Sequence, residues 1–488
     1  MSATFLGHPR GLATLFFTEM WERFTYYGMR AVLVLFLVAA VSQGGFGIDD
    51  RTATAIYGLY TAGAYLAALP GGWIADRLIG ARRAVLIGGL AIALGNAILA
   101  SSSSPRSFYL GLLVIIVGVG LLKPNASAMV AELYPEGGAR RDAGFTVFYM
   151  GINLGATLGP FVTGEAQELM GPRAGFAAAG LFMALGVVQF HFTQHHLGEA
   201  GKPPRPAGAA RGQPWLYLWL GLAASLLALT ACALGWIEVD ALRLAHVSTL
   251  LIAATAAAFF AYVFLAAGLS AEERRRAVVI VVLFVGSALF WSGYEQAGSS
   301  LNLFAERYTD RSIGGHFVIP AGWFQSLNPA FVIVFAPVVA WIWVALARRH
   351  LNPSAPAKFA VGVILMGSGF LVMFAAASIV AHGSKVLPYW LILTYLLHTF
   401  GELCLSPVGL SYVTKLAPKR LVGQMMGMWF LSLSLGNLVA GLIAGEFDAS
   451  NVGAMPGQYL HIVYFAVGLG ALLLVLSRPV KRLMGDVE

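Results

Sequence analysis

The sequence predicts an all-α protein that crosses a membrane many times, on the basis of its composition, its repeated apolar runs and the placement of its basic residues. Of the 488 residues, 58% are apolar and 11% are charged, whereas soluble domains average about 45–50% apolar and about 25% charged residues. Apolar runs of about twenty residues recur along the chain, and each is long enough to cross a bilayer as a helix. They lack the alternation that strands of a membrane barrel would show.

These apolar runs number about fourteen and define the predicted elements in chain order. They lie near 11–42, 52–74, 82–101, 107–131, 142–167, 174–194, 215–237, 246–268, 278–305, 321–347, 357–381, 387–414, 421–446 and 459–477. The first run contains four charged residues and is not followed by a small-residue cleavage site. We therefore expect it to remain as the first helix instead of being removed as a signal peptide. The two cysteines, Cys232 and Cys404, lie in separate runs, which predicts neither a disulfide nor a thiolate metal site.

The basic residues are distributed unevenly between alternate loops, and this asymmetry predicts the orientation of the chain. With a cytoplasmic N-terminus, the cytoplasmic segments contain twenty-one Lys and Arg residues and the opposite side contains seven. Both termini are therefore predicted to be cytoplasmic. The net charge of +8 is explained by this sidedness, and we do not predict a nucleic-acid partner.

The spans divide into groups of six, two and six because a Gly- and Pro-rich segment, Glu199–Pro214, separates the first six from the rest. The predicted domains are an N-terminal six-helix bundle at 1–198, a cytoplasmic linker at 199–214, two additional transmembrane helices at 215–270 and a C-terminal six-helix bundle at 271–488. Two facing six-helix bundles would place a solute site between them near the middle of the bilayer.

Seven ionisable residues stand out inside the predicted spans, where a charged group needs a partner, water or a function. They are Glu19, Glu22, Arg23 and Arg30 on helix one, Lys123 on helix four, and Glu295 and Glu402 on the seventh and tenth helices of the six-plus-six core. At 100° per residue, the helix-one charges and Tyr26 fall within an arc of about 100°. A membrane-embedded carboxylate beside an arginine can couple protonation to a helix rearrangement. The alternative is an ion-pair stripe that only helps the helices pack.

The charged inventory also suits a zwitterionic solute. Arg and Lys would bind its carboxylate, and Glu would bind its ammonium group. Neutral side chains could complete such a site, with hydrogen bonds from Tyr26, Tyr65, Asn153 and Asn328 and apolar walls from Trp291 and Trp429. For the aromatic residues the alternative is a role in packing or at the membrane interface. A four-residue repeat of glycines, Gly151, Gly155 and Gly159, predicts close packing of its helix against a neighbour.

The segment EMWERFTYYG at Glu19–Gly28 resembles the ExxERFxYYG signature of the proton-coupled oligopeptide transporter family, which belongs to the major facilitator superfamily. Further matches are spread over both predicted bundles. They are GGWIADRLIGARR at Gly71–Arg83, GLLKPN at Gly120–Asn125, FYMGINLG at Phe148–Gly155, FWSGYEQAGSSL at Phe290–Leu301 and GELCLSPVGLS at Gly401–Ser411. The resemblance implies the major facilitator fold, and the two additional central helices are similar to the arrangement of bacterial members.

The resemblance implies roles for individual residues. Proton coupling would involve Glu19, Glu22, Arg23 and Glu295. Two gating pairs, Arg30 with Glu295 and Lys123 with Glu402, would close the periplasmic side in the inward-facing state. Arg30 and Lys123 would also bind the carboxylate of the peptide. The amino end of the peptide would be held by Glu402, Asn153 and Asn328. The pocket would be lined by Tyr26, Tyr65, Trp291 and Trp429, with Glu295 also at the substrate site.

The implied function is proton-coupled symport of di- and tripeptides into the cytoplasm by alternating access, in the bacterial inner membrane. We expect a monomer that uses the proton as its coupling ion and needs no metal or other cofactor. The nearest alternative is a proton-coupled carrier of another small solute, such as nitrate or a peptide-like drug. An intramembrane enzyme is disfavoured because neither an HExxH nor a GxSxG motif is present. A peptide-sensing receptor is a third alternative, and it would bind peptides without transporting them.

Overall fold

The computed structural model describes residues 4–203, 213–351, 353–447 and 451–484, and these form sixteen α-helices and one short hairpin. The helices are α1 Arg10–Val38, α2 Asp50–Leu66, α3 Ala68–Ile74, α4 Ala81–Ser101, α5 Pro105–Glu132, α6 Gly138–Met170, α7 Ala174–Thr193, α8 Gln213–Ala233, α9 Ala241–Leu265, α10 Ala271–Tyr294, α11 Ser300–Tyr308, α12 Leu327–Arg348, α13 Ala355–Ala381, α14 Tyr389–Leu416, α15 Val422–Ala444 and α16 Met455–Met484. The hairpin pairs β1, Ser312–Ile313, with β2, Phe317–Val318. Residues 204–212 of the predicted linker lie outside the described part.

The predicted fold class is confirmed, because the chain is an all-α, multi-pass membrane protein. Twelve of the described helical segments are long and apolar enough to cross a membrane. Two of the fourteen predicted spans do not meet that criterion on length and composition alone. Every eighteen-residue stretch of α1 contains at least three charged residues, and α2 is 17 residues long. The charged residues that keep α1 from meeting the criterion are the same residues that suggest a functional site within it.

The contacts between residues divide the chain into two compact units. Unit 1 contains Met1–Val32, Ala39–Gly47 and Gly63–Leu244, and unit 2 contains Leu33–Val38, Ile48–Ala62 and Ala245–Glu488. The predicted partition into six, two and six spans stays a prediction. The additional helices α8 and α9 are mostly exposed. Of the most apolar eighteen-residue stretch, 0% is buried in α8 and 22% in α9. Such exposure of apolar side chains is expected of helices that face lipid.

The predicted span near 52–74 is interrupted at Ala67, between α2 and α3. Pro70, in the first turn of α3, has no N–H to donate to the carbonyl of the preceding turn. Beyond the break, α3 packs tightly on α5. A Cβ on Gly71 would lie 1.9 Å from the Gly120 carbonyl oxygen, so this approach requires glycine.

The predicted helix over 278–305 is also interrupted. The helix α10 ends at Tyr294, a 3-10 turn covers Glu295–Gly298, and α11 begins at Ser300. Polar side chains occupy this break: Gln296 Nε2 donates to the Ser292 carbonyl at 3.2 Å, and Ser300 Oγ donates to Gln296 Oε1 at 2.9 Å. A helix break inside a membrane protein is tolerated where buried partners satisfy the backbone and side chains in this way. Glu295 therefore lies at the end of a helix instead of within one.

The predicted packing role of the α6 glycines is confirmed within unit 1. A Cβ on Gly155 would lie 2.0 Å from the Met20 carbonyl oxygen, and a Cβ on Gly159 would lie 2.2 Å from that of Phe24. Beyond this ladder, Thr163 Oγ1 donates to the Gly28 carbonyl at 2.8 Å. The backbones of α1 and α6 are thus in direct contact along the segment of α1 that contains the charged residues.

We expect Gly155→Ala to destabilise the protein, because the new methyl group would push α6 away from the α1 backbone. Overpacking of this kind typically costs about 1–3 kcal/mol. The unfolding temperature of the purified protein measures the effect. The matched control is Gly468→Ala on α16, where a Cβ meets nothing within 4 Å and where removal of a helical glycine should be neutral or stabilising. Equal unfolding temperatures for the two variants would contradict the packing role.

Candidate functional site

The polar face of α1 forms a buried ion cluster in unit 1. Arg23 Nη2 donates to Glu22 Oε1 at 2.6 Å, and Arg23 Nε contacts Glu22 Oε2. The same Nε lies 3.4 Å from Glu19 Oε1. All three residues are at most 3% exposed. One guanidinium thus serves two carboxylates, and a buried site of this kind needs a further cation or a proton to be neutral.

Three cations of unit 1 each lie beside an aromatic ring. The Arg23 Cζ atom lies 4.8 Å from the Tyr26 ring centroid, the Arg30 Cζ lies 4.7 Å from that of Tyr27, and the Lys123 Nζ lies 4.1 Å from that of Tyr65. These separations are within the range of cation–π attraction.

Lys123 lies on α5 within electrostatic reach of Glu19. The structure therefore brings the predicted Lys123 and Tyr65 together and places a second cation where it acts on one carboxylate of α1, that of Glu19. Asn153 is buried on α6, where its Nδ2 donates to the Tyr149 carbonyl of its own helix at 3.0 Å.

Three helices of unit 2 meet at the Glu402 carboxylate. Asn328 Nδ2 on α12 donates to Glu402 Oε2 at 2.9 Å, and Tyr294 Oη on α10 donates to the same oxygen at 3.1 Å. Asn328 Nδ2 also lies 3.0 Å from Thr399 Oγ1, one turn before Glu402 on α14. The predicted pair Glu402 and Asn328 are thus in direct contact. Two neutral donors thus orient the Glu402 carboxylate.

Sequence reasoning missed Tyr294 and Thr399 as members of this cluster. A signal was available for each, because Tyr294 directly precedes Glu295 and Thr399 stands three residues before Glu402, on the same helix face. Which tyrosine or threonine would reach the carboxylate depends on how α10, α12 and α14 pack, and no local spacing specifies that.

The two predicted tryptophans and Glu295 are buried in unit 2. Trp291 packs against Gly436, where an added Cβ would lie 2.6 Å from the Trp291 Cβ. Trp429 packs against Gly409, where an added Cβ would lie 2.0 Å from the indole ring. The Trp291 ring also meets Tyr294 edge to face at a centroid distance of 5.0 Å. Small residues thus fix the positions of both indoles.

The predicted site residues fall into two sets. Unit 1 contains Glu19, Glu22, Arg23, Tyr26, Arg30, Tyr65, Lys123 and Asn153, and unit 2 contains Trp291, Glu295, Asn328, Glu402 and Trp429. Each predicted gating pair takes one residue from unit 1 and one from unit 2. Both pairs stay predictions. Within the described ranges, no three His, Cys, Asp or Glu side chains form a group that could hold a metal ion.

Comparison with known proteins gives concordant matches. Residues 82–460 match the POT family, also called PTR2. The chain is 41% identical over 498 residues to the peptide transporter YePEPT of Yersinia enterocolitica subsp. palearctica, an alignment that covers 99% of this chain and 97% of that protein. It is 34% identical over 503 residues to a di-/tripeptide transporter of Lactococcus lactis subsp. cremoris, with 99% and 98% covered.

A solved structure resembles the chain over its whole length. It is a crystal structure of a mutant peptide transporter POT in complex with alafosfalin, with a TM-score of 0.91 and 39% sequence identity. The match covers 99% of this chain and 98% of that one.

Proposed function

This chain belongs to the POT family, and from that premise we propose that it carries di- and tripeptides into the cytoplasm together with protons by alternating access. Full-length similarity to proteins named peptide transporter and di-/tripeptide transporter supports the substrate class. The family and these relatives are transporters, and we accordingly propose a carrier instead of an enzyme.

The observation that carries the proposal is that the predicted site residues include cations in unit 1 and an oriented carboxylate in unit 2. Unit 1 contains the cations Arg30 and Lys123, each beside an aromatic ring. Unit 2 contains an oriented carboxylate, Glu402, held by Asn328 and Tyr294. A short peptide has one carboxylate and one ammonium group, and these two kinds of group would bind its opposite ends. Tyr26, Tyr65, Trp291 and Trp429 are the proposed lining, with Asn153 assisting at the amino end.

Proton coupling is assigned to the α1 cluster. Glu22 and Glu19 share Arg23, so protonation of either carboxylate changes which partners the guanidinium can hold. Glu295, at the break between α10 and α11, is the proposed second titrating group. We further propose that it pairs with Arg30, that Lys123 pairs with Glu402, and that both pairs break when the periplasmic side opens.

The proposed location is the bacterial inner membrane with both termini cytoplasmic, supported by the distribution of Lys and Arg among the loops. The proposed working form is a monomer that uses the proton as its coupling ion and no other cofactor. A carrier of peptide-like drugs is the second candidate, because the similar POT structure contains alafosfalin.

The test is uptake of labelled dialanine into liposomes that contain the purified protein. With an inward proton gradient we expect accumulation above the external concentration, and a protonophore should reduce it to equilibration. Unlabelled dialanine and trialanine should compete. Failure of dialanine to compete while another solute is accumulated by the same folded protein would overturn the peptide assignment and leave the carrier assignment standing.

A further inference from the structure

A cavity lies in unit 2 between α10, α15 and α16. Its volume is about 530 Å³. Its wall is mostly apolar and includes Leu289, Val439, Ile443, Ile462 and Phe465. Among the described residues, none of the predicted peptide-site residues lines it. This size, and an apolar wall with a few polar groups, are typical of pockets that bind small molecules.

The cavity borders the outer surface of the helix bundle. Phe465 lines it and is 64% exposed, although it lies within the apolar span formed by α16. A span of this length places such side chains against hydrocarbon. A molecule that enters the cavity past Phe465 therefore comes from the lipid phase, and the matching ligand is a hydrocarbon chain.

One end of the cavity is polar. Glu446 follows the end of α15 and Gln458 lies in the first turn of α16, so this end sits where both helices reach the membrane surface. Glu446 Oε2 lies 3.3 Å from Arg51 Nη2, and both side chains are more than half exposed. Gln458 Nε2 donates to the Glu446 carbonyl at 2.5 Å. Its Oε1 is buried and accepts no hydrogen bond within the described part of the chain.

We propose that this cavity binds a phospholipid with a primary-ammonium headgroup, such as phosphatidylethanolamine. One acyl chain would occupy the apolar part between α10, α15 and α16. The ammonium N–H groups would donate to the Glu446 carboxylate and to Gln458 Oε1, and the phosphate would bind the Arg51 guanidinium. A choline headgroup has no N–H to donate, and a glycerol headgroup has no cation, so neither satisfies the same set of groups.

A lipid bound in this cavity would also lie against the break between α10 and α11. Ser292, Gly293 and Gln296 line the cavity and stand on either side of Tyr294 and Glu295. The acyl chain would therefore fill the space behind the 3-10 turn, on the side of α10 away from the cluster at Glu402.

The acyl-chain part is tested by native mass spectrometry of the full chain, released from detergent that contains equal amounts of phosphatidylethanolamine, phosphatidylcholine and phosphatidylglycerol. We expect the wild type to retain one phosphatidylethanolamine with a preference of about tenfold, as expected for the charge-assisted hydrogen bonds that distinguish the headgroups. Ile443→Trp should fill the cavity and abolish retention. Leu472→Trp, at a 50% exposed position on α16 outside the cavity lining, should retain the lipid.

The headgroup part is tested by Glu446→Gln and Gln458→Leu, which should reduce the preference for phosphatidylethanolamine over phosphatidylcholine. The matched control is Glu238→Gln, an exposed carboxylate between α8 and α9. Equal retention of the three lipids by the wild type would overturn the proposal. So would a dimer of the chain that replaces the lipid adduct and is lost in Ile443→Trp. If Ile443→Trp does not fold, the headgroup variants decide the question.

Discussion

Glu22→Gln is expected to abolish proton-driven accumulation of dialanine while leaving exchange of peptide across the membrane measurable. Glu22 is 0% exposed and is bound to Arg23 through both of its oxygens. Glutamine has nearly the same shape but cannot take up or release the proton, so the site would keep its geometry and lose one of its two charge states. A ligand or proton shifts a conformational equilibrium only by its differential affinity for the two states.

Two assays in the same liposomes separate these activities. Accumulation under an inward proton gradient should fall to equilibration, whereas counterflow of labelled dialanine against unlabelled dialanine should persist. Glu136→Gln, an exposed carboxylate in the loop after α5, is the matched control and should accumulate normally. Full accumulation by Glu22→Gln would remove Glu22 from the coupling mechanism. Loss of both activities with an unchanged unfolding temperature would place it in peptide binding or in the conformational change itself.

The α1 cluster could be predicted from the sequence because it belongs to one helix. Helical geometry fixes the direction of each side chain, so the spacing of Glu19, Glu22 and Arg23 already determines that they share a face. The close packing of α6 followed from a similarly local pattern, since glycines four residues apart leave a groove on one side of a helix; that the neighbour is α1 did not.

The cluster around Glu402 could be predicted only in part, because its members come from three helices. Asn328 is 74 residues from Glu402 and Tyr294 is 108 residues from it. The contact between them depends on helix packing, which no local pattern determines. The breaks at Ala67 and Glu295 were missed for another reason. Apolarity averaged over a span of about twenty residues is insensitive to a turn of one or a few residues whose polar groups are satisfied internally.

Lys123→Ala is expected to reduce dialanine uptake by about 10–100-fold, the equivalent of losing one hydrogen bond to a charged group of about 1.5–3 kcal/mol. Lys123 is the cation that stands over Tyr65 and within reach of Glu19. Lys123→Arg keeps the positive charge and should recover part of the activity. Lys202→Ala removes an exposed lysine at the start of the linker and should transport normally. Unchanged uptake by Lys123→Ala would show that Lys123 neither binds peptide nor gates.

The concentration dependence of uptake by the Lys123 variants separates the two proposed roles. If Lys123 binds the peptide carboxylate, Lys123→Ala should raise the half-saturating dialanine concentration, because the missing cation weakens the bound state. If its main role is the pair with Glu402, the maximal rate should fall instead, since the change would act on the conformational equilibrium. Glu402→Gln should then produce the same loss of rate, and the double variant should add little to either single one, as expected for two residues of one ion pair.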